Sequence, residues 1–242
     1  MNRGFYNAAS AMITIQKNMQ SISNNVANSN TVGYKREQSL EGTFEQMMVN
    51  YKGNQLGIIP TKVGQRDNVT IHTQGSFITS GRDLDFALNG DGFFKLQDAD
   101  GNIHYTRNGT FFIDNSGSIV DQRGFYLMGE EGRIKVPNNE VSANTSIVVN
   151  KDGEFFVNNN KLDTIDIVNL ENPLKTGHGY YKADGELPSD SKVHQGFLEA
   201  SNVNMADELT SMIINQRSYQ LNGKMVSTQD ELNKKVITDL FK

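Results

Sequence analysis

Phe5-Tyr-Asn-Ala-Ala-Ser-Ala-Met-Ile-Thr-Ile-Gln-Lys-Asn-Met-Gln-Ser-Ile-Ser-Asn-Asn-Val26 carries apolar residues at Phe5, Ala8, Met12, Ile15, Met19, Ile22 and Val26, in steps of 3, 4, 3, 4, 3 and 4. A seam recurring every ~3.5 residues is what a helix needs to bury one stripe against another helix. The same stepping returns at the other end of the chain: Leu209, Met212, Gln216, Tyr219, Gly223 and Val226, then Ile237 and Leu240 after a polar gap. Two such stripes at opposite ends imply that the termini meet, either in one subunit or across neighbours. Assembly is therefore expected before chemistry.

The first helix is expected over Arg3–Ala27, a length of roughly 37 Å. It should stop in Asn24-Asn-Val-Ala-Asn-Ser-Asn-Thr-Val-Gly33. Asn, Ser and Thr side chains compete for backbone hydrogen bonds there, and a glycine can take positive φ. The second helix should begin at Asn204, whose side chain suits an N-cap. Asp207 and Glu208 lie at the positive end of its dipole and Lys234, Lys235 and Lys242 towards the other.

Between the helices the pattern changes. Residues 37–66 mix Phe44, Met47, Met48 and Tyr51 with Gly53, Gly57, Pro60 and Gly64. They are read as a connector, part short helix and part irregular strand. From Asp67 onward, short runs rich in Val, Ile, Phe, Thr and Tyr alternate with Gly, Asn and Asp clusters, the signature of strands and turns. Strands are expected at Val69–Thr73, Phe93–Leu96, Ile103–Thr106, Thr110–Ile113, Ser146–Val149, Glu154–Val157 and Thr164–Val168. Gly92-Phe-Phe, Gly109-Thr-Phe-Phe and Gly153-Glu-Phe-Phe echo one another at irregular spacing. They read as hairpins in which a glycine turns and paired phenylalanines take opposite faces of a sheet. The expected fold class is α+β. The terminal helices form a coiled-coil domain from residues 1–36 and 197–242, 37–66 connect, and 67–196 form a mostly antiparallel β domain.

Composition narrows the function. The chain has 242 residues, a formal net charge of -5 and no cysteine. Phosphate binding requires clustered Lys and Arg, and the adjacent basic pairs are only Lys35-Arg36 and Lys234-Lys235, so no nucleic-acid partner is expected. Disulfides and thiolate chemistry are excluded. No stretch approaches the ~18 apolar residues of a membrane helix, so no membrane insertion is expected. The first residues lack a basic segment followed by an apolar run, so a cleavable secretory signal is not expected.

Motifs for catalysis are missing. His72, His104, His178 and His194 have no HxxxH or HExxH partners, and no Walker loop, Gly-x-Ser-x-Gly elbow or dinucleotide fingerprint occurs. Asp98-Ala-Asp-Gly-Asn102 imitates a calcium loop but has Ile103 and Gly109 where glycine and a bidentate glutamate belong. A hairpin turn explains those residues better. Asp83, Asp85 and Asp91 offer carboxylates without a spacing that selects a pair. The expectation is no enzyme, no catalytic residue, no cofactor and no metal.

Four collinear stretches then resemble one family. Ser23-Asn-Asn-Val-Ala-Asn-Ser-Asn-Thr-Val-Gly-Tyr-Lys-Arg36 resembles the signature after the first helix of bacterial flagellar axial proteins, the rod and hook family. Its motif positions here are Asn24, Asn25, Asn28, Asn30, Thr31, Gly33, Tyr34 and Lys35. Ser80–Phe94, Tyr105–Asp114 and Gly196–Asn204 with Met212–Asn222 are similar to further motifs of that family. The resemblance implies a structural subunit of the flagellar basal-body rod, transmitting torque from motor to hook across the cell envelope. It implies export through the flagellar type III apparatus and partners that are copies of itself and other rod and hook proteins. It further implies terminal helices packed into an inner coiled-coil tube with β domains outside. Two other classes stand beside it: a β-rich extracellular binding or adhesin module on a helical stalk, and a cell-wall hydrolase.

The residues also imply a route to assembly. Isolated helices are marginal in water, and Asn7, Asn18, Asn24 and Asn25 weaken the first one further. The terminal helices are expected to fray in the free subunit and to order when neighbours cover their seams, through Phe5, Met12, Ile15, Met19, Ile22 and Val26 on one side and the C-terminal stripe on the other. Within that stripe, Gln216 and Gly223 stand where leucine is expected. Either they set register and close approach, or the buried face drifts and Met225, Leu232 and Val236 take over.

Overall fold

The asparagine-rich stretch ends the first helix as its chemistry dictates. In a computed structural model, which describes residues 3–51, 54–137 and 146–240, α1 spans Arg3–Ala27 and gives way to turns. The Thr31 amide bonds the Asn28 carbonyl at 3.1 Å, and Gly33 takes φ +68°. The second helix, α2, spans Met205–Leu240. Asn204 caps it, its Oδ1 accepting from the Ala206 amide at 3.1 Å. Asp207 and Glu208 lie in the first turn, but the last turn holds no basic residue. Lys234 instead pairs with Asp230 at 2.9 Å on the exposed face, a contact of small energetic weight. Lys242 lies outside the described residues.

The chain divides into two compact units, each discontinuous in sequence. The first contains α1, α2 and residues 37–71. The connector expected at 37–66 is a long antiparallel hairpin: β1 (Glu37–Tyr51) pairs with β2 (Asn54–Thr70) from Glu37 opposite Thr70 to Tyr51 opposite Asn54. Four register shifts interrupt the ladder, which is why its sequence shows no clean alternation. Residues 28–36 group with the β unit rather than with the helices, so the grouping cuts through the expected 1–36 segment.

The second unit, residues 28–36 and 72–202, is antiparallel in every described strand pair. It includes β3 (Phe77–Thr79), β4 (Phe86–Asn89), β5 (Phe93–Gln97) and β6 (Ile103–Thr106). β5 lies central in the largest sheet, hydrogen-bonded to β6, to Tyr126–Gly129 and to Ile167–Glu171. The Phe93-Phe94 pair serves both faces. Phe94 joins a large core with Phe86, Phe111, Leu127 and Phe155, whereas Phe93 packs with Tyr105, Val168 and Tyr181. Phe111-Phe112 divides differently: Phe111 is buried, and Phe112 is exposed beneath the Arg82 guanidinium at 4.8 Å.

Two expected strands depart from their expected bounds for identifiable reasons. β2 stops at Thr70, and Ile71–Ser76 run outside any strand, with side chains taking up the Thr73 carbonyl and the Gly75 amide, as described below. The run Thr164–Val168 is split, since Ile165 donates to the Gly153 carbonyl and Asp166 to that of Met128, and the chain changes sheets there. The Asp98–Asn102 segment forms the hairpin turn between β5 and β6. Asp98 accepts from the Asn102 amide and side chain, each at 2.8 Å, and Asn102 first among its contacts holds its carboxyl at about 2.

Candidate assembly interface and motif cluster

α1 and α2 run antiparallel. A Cβ on Gly4 would come 3.5 Å from Gln229 Oε1, whereas one on Gly223 would come 4.0 Å from Met12 Cε, so positions rise along α1 as they fall along α2. On α1, Met12, Ile15, Met19, Ile22 and Val26 are half-buried, Ala8, Thr14, Ser21 and Asn25 are buried, and Phe5 is exposed. On α2, Met212, Tyr219, Gly223 and Val226 are half-buried, whereas Leu209 and Gln216 are exposed. Ile237 and Leu240 belong to α2 by backbone, and their side chains lie outside the described residues. The other half-buried positions of α2 between Ser211 and Asn222 are Ser211, Asn215, Ser218 and Asn222. This face is polar for a helix seam.

The larger apolar side chains of α2 point the other way. Ile214, Leu221, Met225, Leu232 and Val236 are 60%, 65%, 62%, 53% and 57% exposed, and they follow one another in steps of 7, 4, 7 and 4. At ~100° per residue, a stripe displaced by two positions from Met212, Tyr219 and Gly223 lies about 200° around the helix. α2 therefore carries two heptad-spaced faces, nearly opposite one another. Met225, Leu232 and Val236, offered by the spacing as a drifted buried face, lie instead on this exposed stripe.

The asparagine-rich motif divides its labour between the units. In the first unit, Asn25 is buried, donating Nδ2–H to the Glu37 carbonyl at 2.8 Å and accepting from the Glu37 amide at 2.9 Å. Ser21 Oγ donates to the same carbonyl at 3.1 Å, fixing the start of β1 on α1. In the second unit, Gly33, Tyr34 and Lys35 are buried, Asn28 is half-buried, and Asn30 and Thr31 are exposed. Asn24, on α1, is exposed. Gly33 cannot be anything larger without movement: its φ is positive and a Cβ would lie 2.6 Å from the Arg107 backbone. The Lys175 ammonium sits 4.0 Å from the Tyr34 ring centroid.

Lys35 ends in a buried charge cluster. Its ammonium donates to Glu199 Oε1 at 2.6 Å and to the Thr73 carbonyl at 2.9 Å. Glu199 Oε1 also accepts from the Gly75 amide at 2.8 Å, and its Oε2 from Arg107 at 3.4 Å. All three charged side chains are about 1% exposed. Burial pulls the Lys35 ammonium below the ordinary lysine value while Glu199 pulls it back up; Arg107 is likewise lowered by burial. Beside them the His72 ring, between Phe93 and Tyr181 at 5.7 and 5.5 Å, is driven down to about 4 by burial first and then by Lys35 and Arg107. The sequence pointed to Lys35 as a motif position; Arg107 and Glu199 stand inside other quoted motifs, but nothing in their spacing paired them.

Among the described residues no group of three His, Asp or Glu side chains is placed to hold a metal ion. No described helix is long and apolar enough to cross a membrane.

Comparison with known proteins agrees with this geometry. Residues 5–35 match the model of the flagella basal body rod protein family, 87–157 the flagellar hook protein FlgE/F/G D1 domain, and 194–239 the flagellar basal body rod FlgEFG protein C-terminal region. The chain is similar to the flagellar basal-body rod protein FlgG of Buchnera aphidicola subsp. Acyrthosiphon pisum, 34% identical with 91% of this chain and 93% of that protein covered. It is 30% identical to FlgG of Bacillus subtilis, with 98% of each covered. It is 31% identical to the rod protein FlgF of Caulobacter vibrioides, covering 100% of this chain and 99% of that one. Likeness of this extent, end to end, sets aside the adhesin alternative. The chain belongs to the flagellar basal-body rod protein family and is a structural subunit of the basal body.

Proposed function

We propose that this subunit polymerises through its terminal helices, with the outward stripe of α2 covered by helices of neighbouring copies or of other rod and hook proteins. The observation that carries this reading is the exposure of Ile214, Leu221, Met225, Leu232 and Val236 at heptad spacing, on the face opposite the one turned to α1. A soluble protein gains ~1.5–3 kcal/mol for each such side chain fully removed from water, so a run of five is a strong drive to associate. A rod needs heterologous contacts, one patch fitting a different patch on the next copy, and a helix with two unlike faces supplies them. The seam residues Phe5 and Leu209 are also exposed in the single copy. In this reading the subunit leaves the cell through the flagellar export apparatus and carries torque in the finished rod, without catalysis.

Leu221→Glu with Met225→Glu tests it. Both side chains are exposed, so the variant should keep the circular dichroism and melting temperature of the single copy and lose polymerisation, followed by light scattering and electron microscopy. Polymers of normal yield from the doubly charged variant would refute the assignment.

A further inference from the structure

Family membership gives the buried charges of the β unit no task. This unit continues into the helical one at four places, marked by its end residues Asn28, Arg36, His72 and Asn202. Each end is held close to the same cluster. Arg36 donates its amide to Asn202 Oδ1 at 2.7 Å, and Asn202 Nδ2 donates to both the carbonyl and Oγ1 of Thr73 at 3.0 Å. The Thr73 carbonyl also accepts from Lys35, and Glu199, which binds Lys35, reaches the Gly75 amide. The Gly33 amide donates to the Glu199 carbonyl at 2.8 Å, and Asn28 is tied to that segment by its turn with Thr31. Arg107, beyond the end of β6, brings the core sheet into contact with the same carboxylate.

Strand pairing alone would hold these ends poorly. Among the described residues Phe197–Glu199 pairs only with β3, in a ribbon of two strands whose hydrogen bonds can open one after another from the end. The buried ions behave differently. Separating Lys35 or Arg107 from Glu199 leaves an uncompensated charge out of water, so the cluster gives way as one event.

We infer that Lys35, Arg107 and Glu199 form a clamp that delivers force arriving along any of the four connecting segments into the core of the β unit. The rod-subunit reading supplies only the source of that force; the clamp is tested in single molecules without it. Because the chain has no cysteine, thiol handles introduced by Gln122→Cys and Ala206→Cys, both exposed, allow one molecule to be pulled across the 202/203 passage.

Lys35→Met removes the ammonium but keeps an apolar stem. It should lower the force of the first rupture and quicken amide exchange at Gly33, Gly75 and Ala200 by about tenfold or more, while Phe94 and Phe155 exchange as before. An unchanged first rupture, or faster exchange spread evenly over the core, overturns the clamp. The second result would mark Lys35 as a general stabiliser. If Lys35→Met does not fold, Lys35→Arg is pulled instead, since a guanidinium keeps the charge but cannot place one nitrogen between Thr73 and Glu199; the same readings decide. Loss of polymerisation in the α2 variant above leaves this outcome untouched, so the two ideas fail separately.

Discussion

His72 is held below the ordinary histidine value first by burial and then by the cations around it. Lys35, Arg107 and Lys175 oppose its protonation and only Asp91 favours it, while burial is the largest influence. The unfolded chain binds a proton at this ring near 6.5, whereas the folded one does so at about 4. Between those values the unfolded state holds more protons, so stability declines as pH falls through the window and levels off below it. The full difference corresponds to about 3 kcal/mol, which solvent at this half-buried ring reduces to about 1–2 kcal/mol. Urea unfolding of the wild type and His72→Gln at pH 7 and pH 4.5 should show the smaller acid loss in the variant; equal losses would exclude His72 as the cause. The sequence offered His72 only as one of four scattered histidines. Its setting depends on Lys35 and Arg107, and the ion pairs that bring these together join residues up to 164 positions apart, which no local spacing reveals.

At the scale of elements, helix positions were legible, and the outward face of α2 only in part. α1 begins and ends where the periodicity and the asparagine cluster place it, since both signals are local. α2 is harder, because its apolar residues serve two sides and its turned-in face includes Ser211, Asn215, Ser218 and Asn222. A seam with so many polar groups gains little from burial. The helices of a single copy should therefore be only partly formed in dilute solution and gain helicity on polymerisation, when the outward stripe is covered. Far-ultraviolet circular dichroism below and above the polymerising concentration checks this, and identical helicity per residue would contradict it. β1 and β2 escaped recognition for a related reason: register shifts at Ser39, Gly42, Glu45 and Met48 break the two-residue alternation that betrays a strand.

For the whole molecule, the two units rest on different physics. The β unit owns a conventional core: Phe86, Phe94, Phe111 and Phe155 are fully buried, and Phe155 meets Phe86 edge-on at a centroid distance of 6.5 Å. Phe155→Ala should cost ~3–5 kcal/mol and be seen as a lowered urea midpoint at constant slope. A loss below about 1 kcal/mol would mean that this cluster repacks freely. That core was readable in outline from its paired phenylalanines, but of the glycines before them only Gly153 turns a hairpin, between Ile147–Val149 and Glu154–Val157; Gly92 and Gly109 join strands that do not pair with each other. The grouping of residues 28–36 with it was not, because those nine residues are tied down by Glu199 and Arg107 rather than by their own pattern.

The hairpin of β1 and β2 has one more consequence. At ~3.4 Å per residue, the 15 residues of β1 extend about 50 Å. In a two-stranded ribbon each strand has a side with no sheet partner among the described residues. Straight borders of that length would let identical molecules zip together wherever they crowd. The kinks at four places, and Pro60 with no amide to offer, spoil the straight run. Crowded copies are thus kept from sealing edge to edge along this ribbon.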